Sequence, residues 1–320
     1  MGVTANTNET YDVSTIKEDL QDAMISISPT DTPVMSAIGR RNVDNTYFEW
    51  GVVSLAAAST SNRVIEGESA PGNDAPTNAV RQGNYTQISD KVVEVSDTAN
   101  AVNGAGDAQT TAKQIAYKLK ELKRDMESML CDNVAGSAGA SGTARSSAGL
   151  PAYLRTNASR GTNGADGTTS GSGVSGYVNA AATDGTQRAI TEALLKGVIA
   201  DCWTQGAEPS VVICGPSQKQ TISAFTGNAT RFKEAEDSKL NAAIDVYISD
   251  FGELQIVPSR FTRSRDVLVL DPNYARVAYL KPTSQKPLAR TGHAERRLIS
   301  VEFGLQVDNE AAHGVIADVS

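Results

Sequence analysis

Apolar residues recur at intervals of three and four along one stretch of the chain: Ala112, Ile115, Ala116, Leu119, Leu122, Met126, Met129 and Leu130. Lys113, Lys118, Lys120, Lys123, Arg124 and Glu127 fill the positions between them. That period predicts a helix over 109–133, about 40 Å long at the usual rise per residue. Asp107 stands where an N-cap is wanted and Gly136 lies just past the end. Near the start of the chain, Ile16, Leu20, Met24 and Ile25 share one face behind Ser14 or Thr15, which predicts a shorter amphipathic helix. SPTDTPVMSAIG, residues 28–39, follows it. There Pro29 and Pro33 break regular structure, and Val34, Met35, Ala37 and Ile38 offer a second small apolar face.

Elsewhere the period shortens to two. YFEWGVVSL from Tyr47 and YTQISDKVVEVSD from Tyr85, with Ile88, Val92, Val93 and Val95, predict two strands of an extended hairpin over 46–100. Their link, residues 62–84, is dense in Gly, Pro, Asn and Asp. A hairpin of that length is marginal in water unless a neighbour covers it. Residues 135–186 are dominated by Gly, Ala, Ser, Thr and Asn and predict exposed loop, interrupted by GLPAYL (149–154) as a short edge segment. A helix with Ile190, Leu194 and Val198 on one side precedes a buried strand, Val211 to Cys214, and Gly215-Pro216 opens another helix. The final 80 residues predict strands: a hairpin around Asp250–Glu253, a strand-turn-strand unit around Asp271–Asn273, then LISVEFGLQV and GVIADVS. The class is α+β, and 320 residues exceed the size at which one core stops growing, so more than one lobe is expected.

Composition narrows the function. Aromatics are only 5% of residues, which leaves no platform for stacking bases. A net charge of −8 opposes attachment to phosphate backbones, although a protein can enclose DNA without sequence-specific binding. Cys131, Cys202 and Cys214 are too irregularly spaced for a zinc knuckle and too few for a disulfide scaffold. They read as small buried hydrophobes. No apolar run is long enough to span a membrane and no charged-then-apolar leader appears, so no membrane partner is expected.

Several strings imitate catalytic signatures. GSGVSG at 171–176 matches a dinucleotide-binding glycine pattern but sits in low-complexity loop rather than between a strand and a helix. DFG at 250–252 lacks the lysine and catalytic-loop partners of a kinase and reads as a hairpin turn. His293 and His313 have no carboxylate or second histidine at ligand spacing and are expected at the surface or a sheet edge. Glu66, Glu68 and Asp74 cluster at an exposed tip, where no pocket shifts a carboxyl toward general acid-base work. No catalytic, cofactor-binding or metal-binding residue is expected, and no enzyme.

Four segments carry a resemblance: EDLQDAMISISPTDTPVMSAIG (18–39), NTYFEWGVVSL (45–55), VIEGESA (64–70) and LVLDPNYARVAYLKPTSQKPLARTGHAERRLISVEFGLQVDNEAAHGVI (268–316). In that order they resemble major capsid proteins of tailed bacteriophages with the HK97 fold, and more narrowly the SU10-type major head proteins. The resemblance implies an N-terminal arm (1–45) and an extended loop (46–100). It further implies a peripheral domain (101–186 and 291–320) on a spine helix at 108–134, and an axial domain (187–290). It implies many copies of the chain, as hexamers and pentamers, forming an icosahedral shell around double-stranded DNA. Assembly would take place in the bacterial cytoplasm, with separate scaffold, portal and decoration proteins as further partners. An encapsulin-like compartment shares the fold and stands as the rival, with a nucleotide-binding enzyme behind it. Within this frame Pro29 and Pro33 fix the path of the arm, so that Val34, Met35 and Ile38 pack on an adjacent subunit. The loop around Arg63, Glu66 and Glu68 crosses the next subunit's spine helix, where Lys113, Lys120 and Arg124 supply counter-charges.

Overall fold

The computed structural model describes residues 30–67, 69, 76–102, 111–171, 175–225, 245–290 and 292–320. The expected helix before residue 26, Pro29, Glu68 and the Asp107 cap lie outside the described residues.

Two sheets organise the chain. The first has strand order β1 (Gly39–Asn42), β12 (Ala275–Pro287), β13 (Ala294–Val307) and β4 (Gln87–Ser96); β1 runs parallel to β12 and the other pairs are antiparallel. The second has order β5 (Ala158–Ser159), β14 (Gly314–Ile316), β11 (Val267–Leu270), β8 (Val211–Cys214), β10 (Gly252–Pro258) and β9 (Val246–Ser249). Its centre explains the unbroken apolar runs VVIC and VLVL. Side chains alternate between faces, so Val211, Ile213, Leu268 and Leu270 join the main core while Val212, Cys214, Val267 and Val269 face a second one. The second core also holds Leu195, Val198 and Ile199 of α5 (Glu192–Thr204) and Ile222 of α6 (Pro216–Ser223). A strand covered on both faces has no reason to alternate in sequence.

The pairing departs from the sequence expectation in three places. β11 and β12 do not pair: a 3-10 turn, Pro272–Tyr274, capped by the Asp271 carboxylate accepting from the Asn273 amide, carries the chain from one sheet to the other. β13 and β14 part in the same way across the turn Glu310–Ala312. The strands therefore cut across the expected boundaries, since 275–287 belongs to the first sheet and the C-terminal strand to the second.

The hairpin also has a different return strand. β2 (Tyr47–Val52) pairs with β3 (Val80–Tyr85), not with the 87–96 segment. β4 instead lies along β13 from Gln87↔Phe303 to Ser96↔Ala294. The residues of β3, VRQGNY, are mostly polar and carry no alternation to announce them.

Residues 135–186 are not an exposed loop. α4 (Leu150–Tyr153) is wholly buried, and Leu154 with it. Gly149 makes this docking possible, because a Cβ there would stand 2.0 Å from the Asp132 carbonyl oxygen. Two short strands, β6 (Thr168–Thr169) and β7 (Val178–Ala180), pair within the segment. Buried Asp318 ties it to the C-terminus: its carboxylate accepts from the Gly161 and Gly185 amides and from Arg265 at 2.6 Å. Burial opposes the charge there, yet those donors hold the carboxyl below its ordinary range.

α3 (Thr111–Cys131) is the predicted long helix, about 32 Å in length. It packs on β4 and β13. Its buried residues, Leu122, Met126, Glu127, Leu130 and Cys131, all lie in the second half. Its first half keeps only one side against the sheet.

Candidate assembly surfaces

The β2–β3 hairpin has a fixed root and an uncovered end. At the root Tyr47 and Tyr85 lie 4.8 Å apart between ring centroids, Tyr177 meets Tyr85 edge-on at 4.9 Å, and the Tyr153 hydroxyl donates to the Gly83 carbonyl at 2.9 Å. Burial raises the Tyr47, Tyr85 and Tyr153 hydroxyls above their ordinary range. Gly83 is required by this packing, since a Cβ would stand 2.5 Å from the Tyr47 hydroxyl. Asn84 completes the anchor: its amide donates to the Ser147 hydroxyl at 3.0 Å and the Leu305 carbonyl at 2.7 Å, and its carbonyl accepts from the Ala148 amide at 3.0 Å.

Beyond the root every described residue from 53 to 67 is exposed. Leu55 is 84% exposed, Ile65 76% and Val64 70%. Arg63 and Glu66 bracket the last two, so the outer loop presents an aliphatic pair between a cation and an anion.

On α3, Lys113, Lys120 and Arg124 fall in one stripe, because intervals of seven and four return to the same side of a helix. Lys120 is exposed and Lys113 half-buried. Arg124 is half-buried and stacks over the Phe261 ring at 5.9 Å, without a carboxylate within ion-pair distance among the described residues. The expected partner Glu66 is not brought to this stripe within one subunit.

The arm residues turn out differently. Pro33 is the first residue of a five-residue helix, α1 (Pro33–Ala37), the position where proline's missing N–H costs nothing. Val34, Met35 and Ile38 are at most 7% exposed within their own subunit. They have no area left to give an adjacent one, which corrects the expectation that they pack there. The reason is Glu127, fully buried on α3, whose carboxylate accepts from the Val34 amide at 2.7 Å and the Met35 amide at 2.9 Å. Helix N-terminal amides need acceptors, and a carboxylate suits them in charge as well as geometry. Burial pushes the Glu127 carboxyl above its ordinary range, with the two amides pulling the other way. Asp31 and Arg260, 3.8 Å apart, add an exposed second tie.

The remaining candidates take structural places. DFG forms the β9–β10 turn, as expected. Its Phe251 lies 5.2 Å from Trp203, a partly exposed pair of rings that sequence did not flag. GSGVSG falls partly outside the described residues. His293 is exposed, but His313 is fully buried rather than at a surface: its Nδ1 accepts from the Asp271 amide at 3.2 Å. Desolvation lowers it to about 4. The three cysteines are buried, and burial raises each thiol, to about 12 for Cys202 and about 11 for Cys214. Among the described residues no group of His, Cys, Asp and Glu is arranged to hold a metal ion, and no helix is long and apolar enough to cross a membrane.

Comparison with known proteins identifies this architecture. The model of the SU10 major capsid protein family matches residues 3–320. The major capsid protein of Escherichia phage Phieco32 is 26% identical, over 96% of this chain and 95% of that one. Among solved structures, the Cyanophage A-1(L) capsid asymmetric unit aligns with a TM-score of 0.68 at 12% identity, over 97% of this chain and 98% of the other. The Cyanophage P-SCSP1u capsid aligns at 0.63 and 10% identity, over 100% and 97%. The SrpI encapsulin of Synechococcus elongatus aligns at 0.58 and 13% identity, over 98% and 96%. The fold is HK97-like, and the chain belongs to the SU10 major capsid protein family.

Proposed function

We propose that many copies of this chain, arranged as hexamers and pentamers, close into an icosahedral shell around the double-stranded DNA of a tailed phage. The shell assembles in the bacterial cytoplasm, with separate scaffold, portal and decoration proteins. Its role is structural, and DNA is enclosed rather than read. The four-stranded sheet with α3 supplies the peripheral part of each subunit, and the six-stranded sheet with α5 and α6 the axial part. Loop 53–79 reaches a neighbour and crosses its α3, bringing Arg63, Glu66 and Glu68 toward Lys113, Lys120 and Arg124.

One observation carries this reading. The subunit has two well-filled cores, yet it holds Leu55, Val64 and Ile65 out in solvent on a hairpin whose root is locked. Full burial of such side chains contributes roughly 1.5–3 kcal/mol each, whereas exposed ion pairs contribute about 0–1 kcal/mol. Aliphatic burial therefore dominates the contact, and charge sets its direction. Replacing 54–78 by a short Gly-Ser turn tests it: electron microscopy should show shells from the unmodified chain and only folded, soluble subunits from the shortened one. Normal shells from the shortened chain would overturn the role given to the loop.

A further inference from the structure

The segment that sequence marks as loop touches two parts of the subunit that share no strand: the β2–β3 hairpin and the six-stranded sheet. At the hairpin, Gly176 runs beside β3. The Gly83 amide donates to the Gly176 carbonyl and the Gly176 amide to the Arg81 carbonyl, each at 2.9 Å. Tyr177, next in the chain, sets its ring edge-on to Tyr85 and 6.3 Å from Tyr47. At the other end, Asp184 meets Arg263 and, at 3.3 Å, Arg265. Both arginines lie in the link between β10 and β11. Beside them the Gly185 carbonyl accepts from Arg265 at 2.6 Å and its amide donates to Asp318 at 2.9 Å.

Between these ends the chain is pinned. β7 pairs with β6, the Gly136 amide donates to the Val178 carbonyl at 2.8 Å, and the Asn133 side chain bonds both the amide and the carbonyl of Ala182. Thr183 and Ala165 exchange backbone bonds at 2.8 and 3.1 Å. From Tyr177 to Asp184 an extended chain spans about 23 Å. A stretch fixed at both ends and held between them cannot turn with one end alone. We infer that residues 175–185 form a strut through which the six-stranded sheet sets the angle of the β2–β3 hairpin. Its consequence for assembly rests on the shell reading: a hairpin drawn over by a neighbour pulls on the axial part of its own subunit, so the two adjust to curvature together.

The foot of the strut can be loosened without stranding a charge. In Asp184→Ala each arginine keeps a carboxylate, Asp266 for Arg263 at 2.9 Å and Asp318 for Arg265 at 2.6 Å. Hydrogen exchange of the unassembled subunit then reads the far end. The Gly83 and Gly176 amides should exchange about fivefold faster in Asp184→Ala, while β13 stays as protected as before. Asp166→Ala, which removes a pair with Arg160 inside the same segment, should leave Gly83 unchanged. Coupling is reciprocal, so Tyr177→Ala at the head should speed exchange of the Gly185 amide at the foot. If Asp184→Ala does not fold, Asp184→Asn gives the same readout at smaller amplitude. Unchanged exchange at Gly83 and Gly176, or an equal rise in β13, would overturn the strut. In micrographs, shells of Asp184→Ala should spread more widely in diameter than those of the unmodified chain; an equal spread would overturn the link to curvature. Failure of the unmodified chain to form particles would defeat the shell reading and leave the exchange result standing.

Discussion

Glu127→Gln is the sharpest test of how the arm is held. The carboxylate accepts two buried amide protons, from Val34 and Met35, on its two oxygens. Glutamine keeps one acceptor and presents its NH2 to the other amide, so one bond becomes a donor facing a donor. A buried donor left without an acceptor costs about 1–3 kcal/mol. Part of that loss is offset, because the raised carboxyl means that ionised Glu127 is itself held at a cost. Its folded value lies above its unfolded one, so the folded subunit binds the proton more tightly. This group's contribution therefore falls as pH rises from about 4.5 through the raised value, and the cost is fully expressed above it. The net expectation for Gln is a loss of about 1–2 kcal/mol, and for Glu127→Ala, which strands both amides, about 2–4 kcal/mol. Urea unfolding of the unassembled subunit measures the loss. Amide exchange places it: protection at Val34 and Met35 should drop more than protection in β13. Wild-type stability together with unchanged protection at those two amides in Glu127→Gln would refute the clasp.

Four other outcomes follow from particular contacts. His313 sits at about 4 against an ordinary 6.5, so the unfolded chain binds the proton first and stability falls as pH drops through that interval, by about 3 kcal/mol at the bottom; unfolding at pH 7.5 and 5 should show a slope that His313→Asn lacks. Gly149→Ala should cost about 3 kcal/mol in urea unfolding, since the new Cβ meets the Asp132 carbonyl and α4 cannot seat. A thiol reagent at pH 8 should count none of Cys131, Cys202 and Cys214 in the intact subunit and all three in denaturant. Glu66→Lys should leave the circular dichroism of the subunit unchanged and reduce shells in micrographs, because it reverses the anion of the outer loop.

Period carried most of what the sequence revealed. The three-and-four spacing from Ala112 to Leu130 located α3 within a few residues, and VVIC and VLVL announced strands covered on both faces. Pairing was less legible. β3 is built from polar residues whose places are set by partners far along the chain, as Asn84 shows in bonding Ser147, Ala148 and Leu305. The Gly-rich 135–186 segment looked like solvent-exposed loop because small residues signal flexibility. Here they signal close approach, as at Gly149, Gly161 and Gly167, where each added Cβ would lie within 2.6 Å of a backbone oxygen. His313 and Glu127 were misplaced or missed for one reason: a polar residue paid for by a distant backbone amide leaves no local pattern.

That same distinction separates two parts of the molecule whose sequences look equally in need of a neighbour. The arm from Pro33 to Ile38 and the loop from Val53 to Ala79 both look, in sequence, like short apolar segments without a core. In the arm, Glu127 meets the amides that the bend exposes, and its three apolar side chains then settle between α3 and β8. In the loop, the root is satisfied by Asn84 and Tyr153, and the bonds seen beyond it are short-range ones such as the Arg63 amide donating to the Ser61 carbonyl at 2.7 Å. Locking the root without covering the end keeps the hairpin extended before any partner arrives. Ordering costs are then largely met within the subunit, so burial of Leu55, Val64 and Ile65 on a neighbour can appear almost fully as association. A root loosened by Asn84→Ala should therefore weaken assembly even though Asn84 is buried and touches no surface, which a contact made only by the loop tip would not produce.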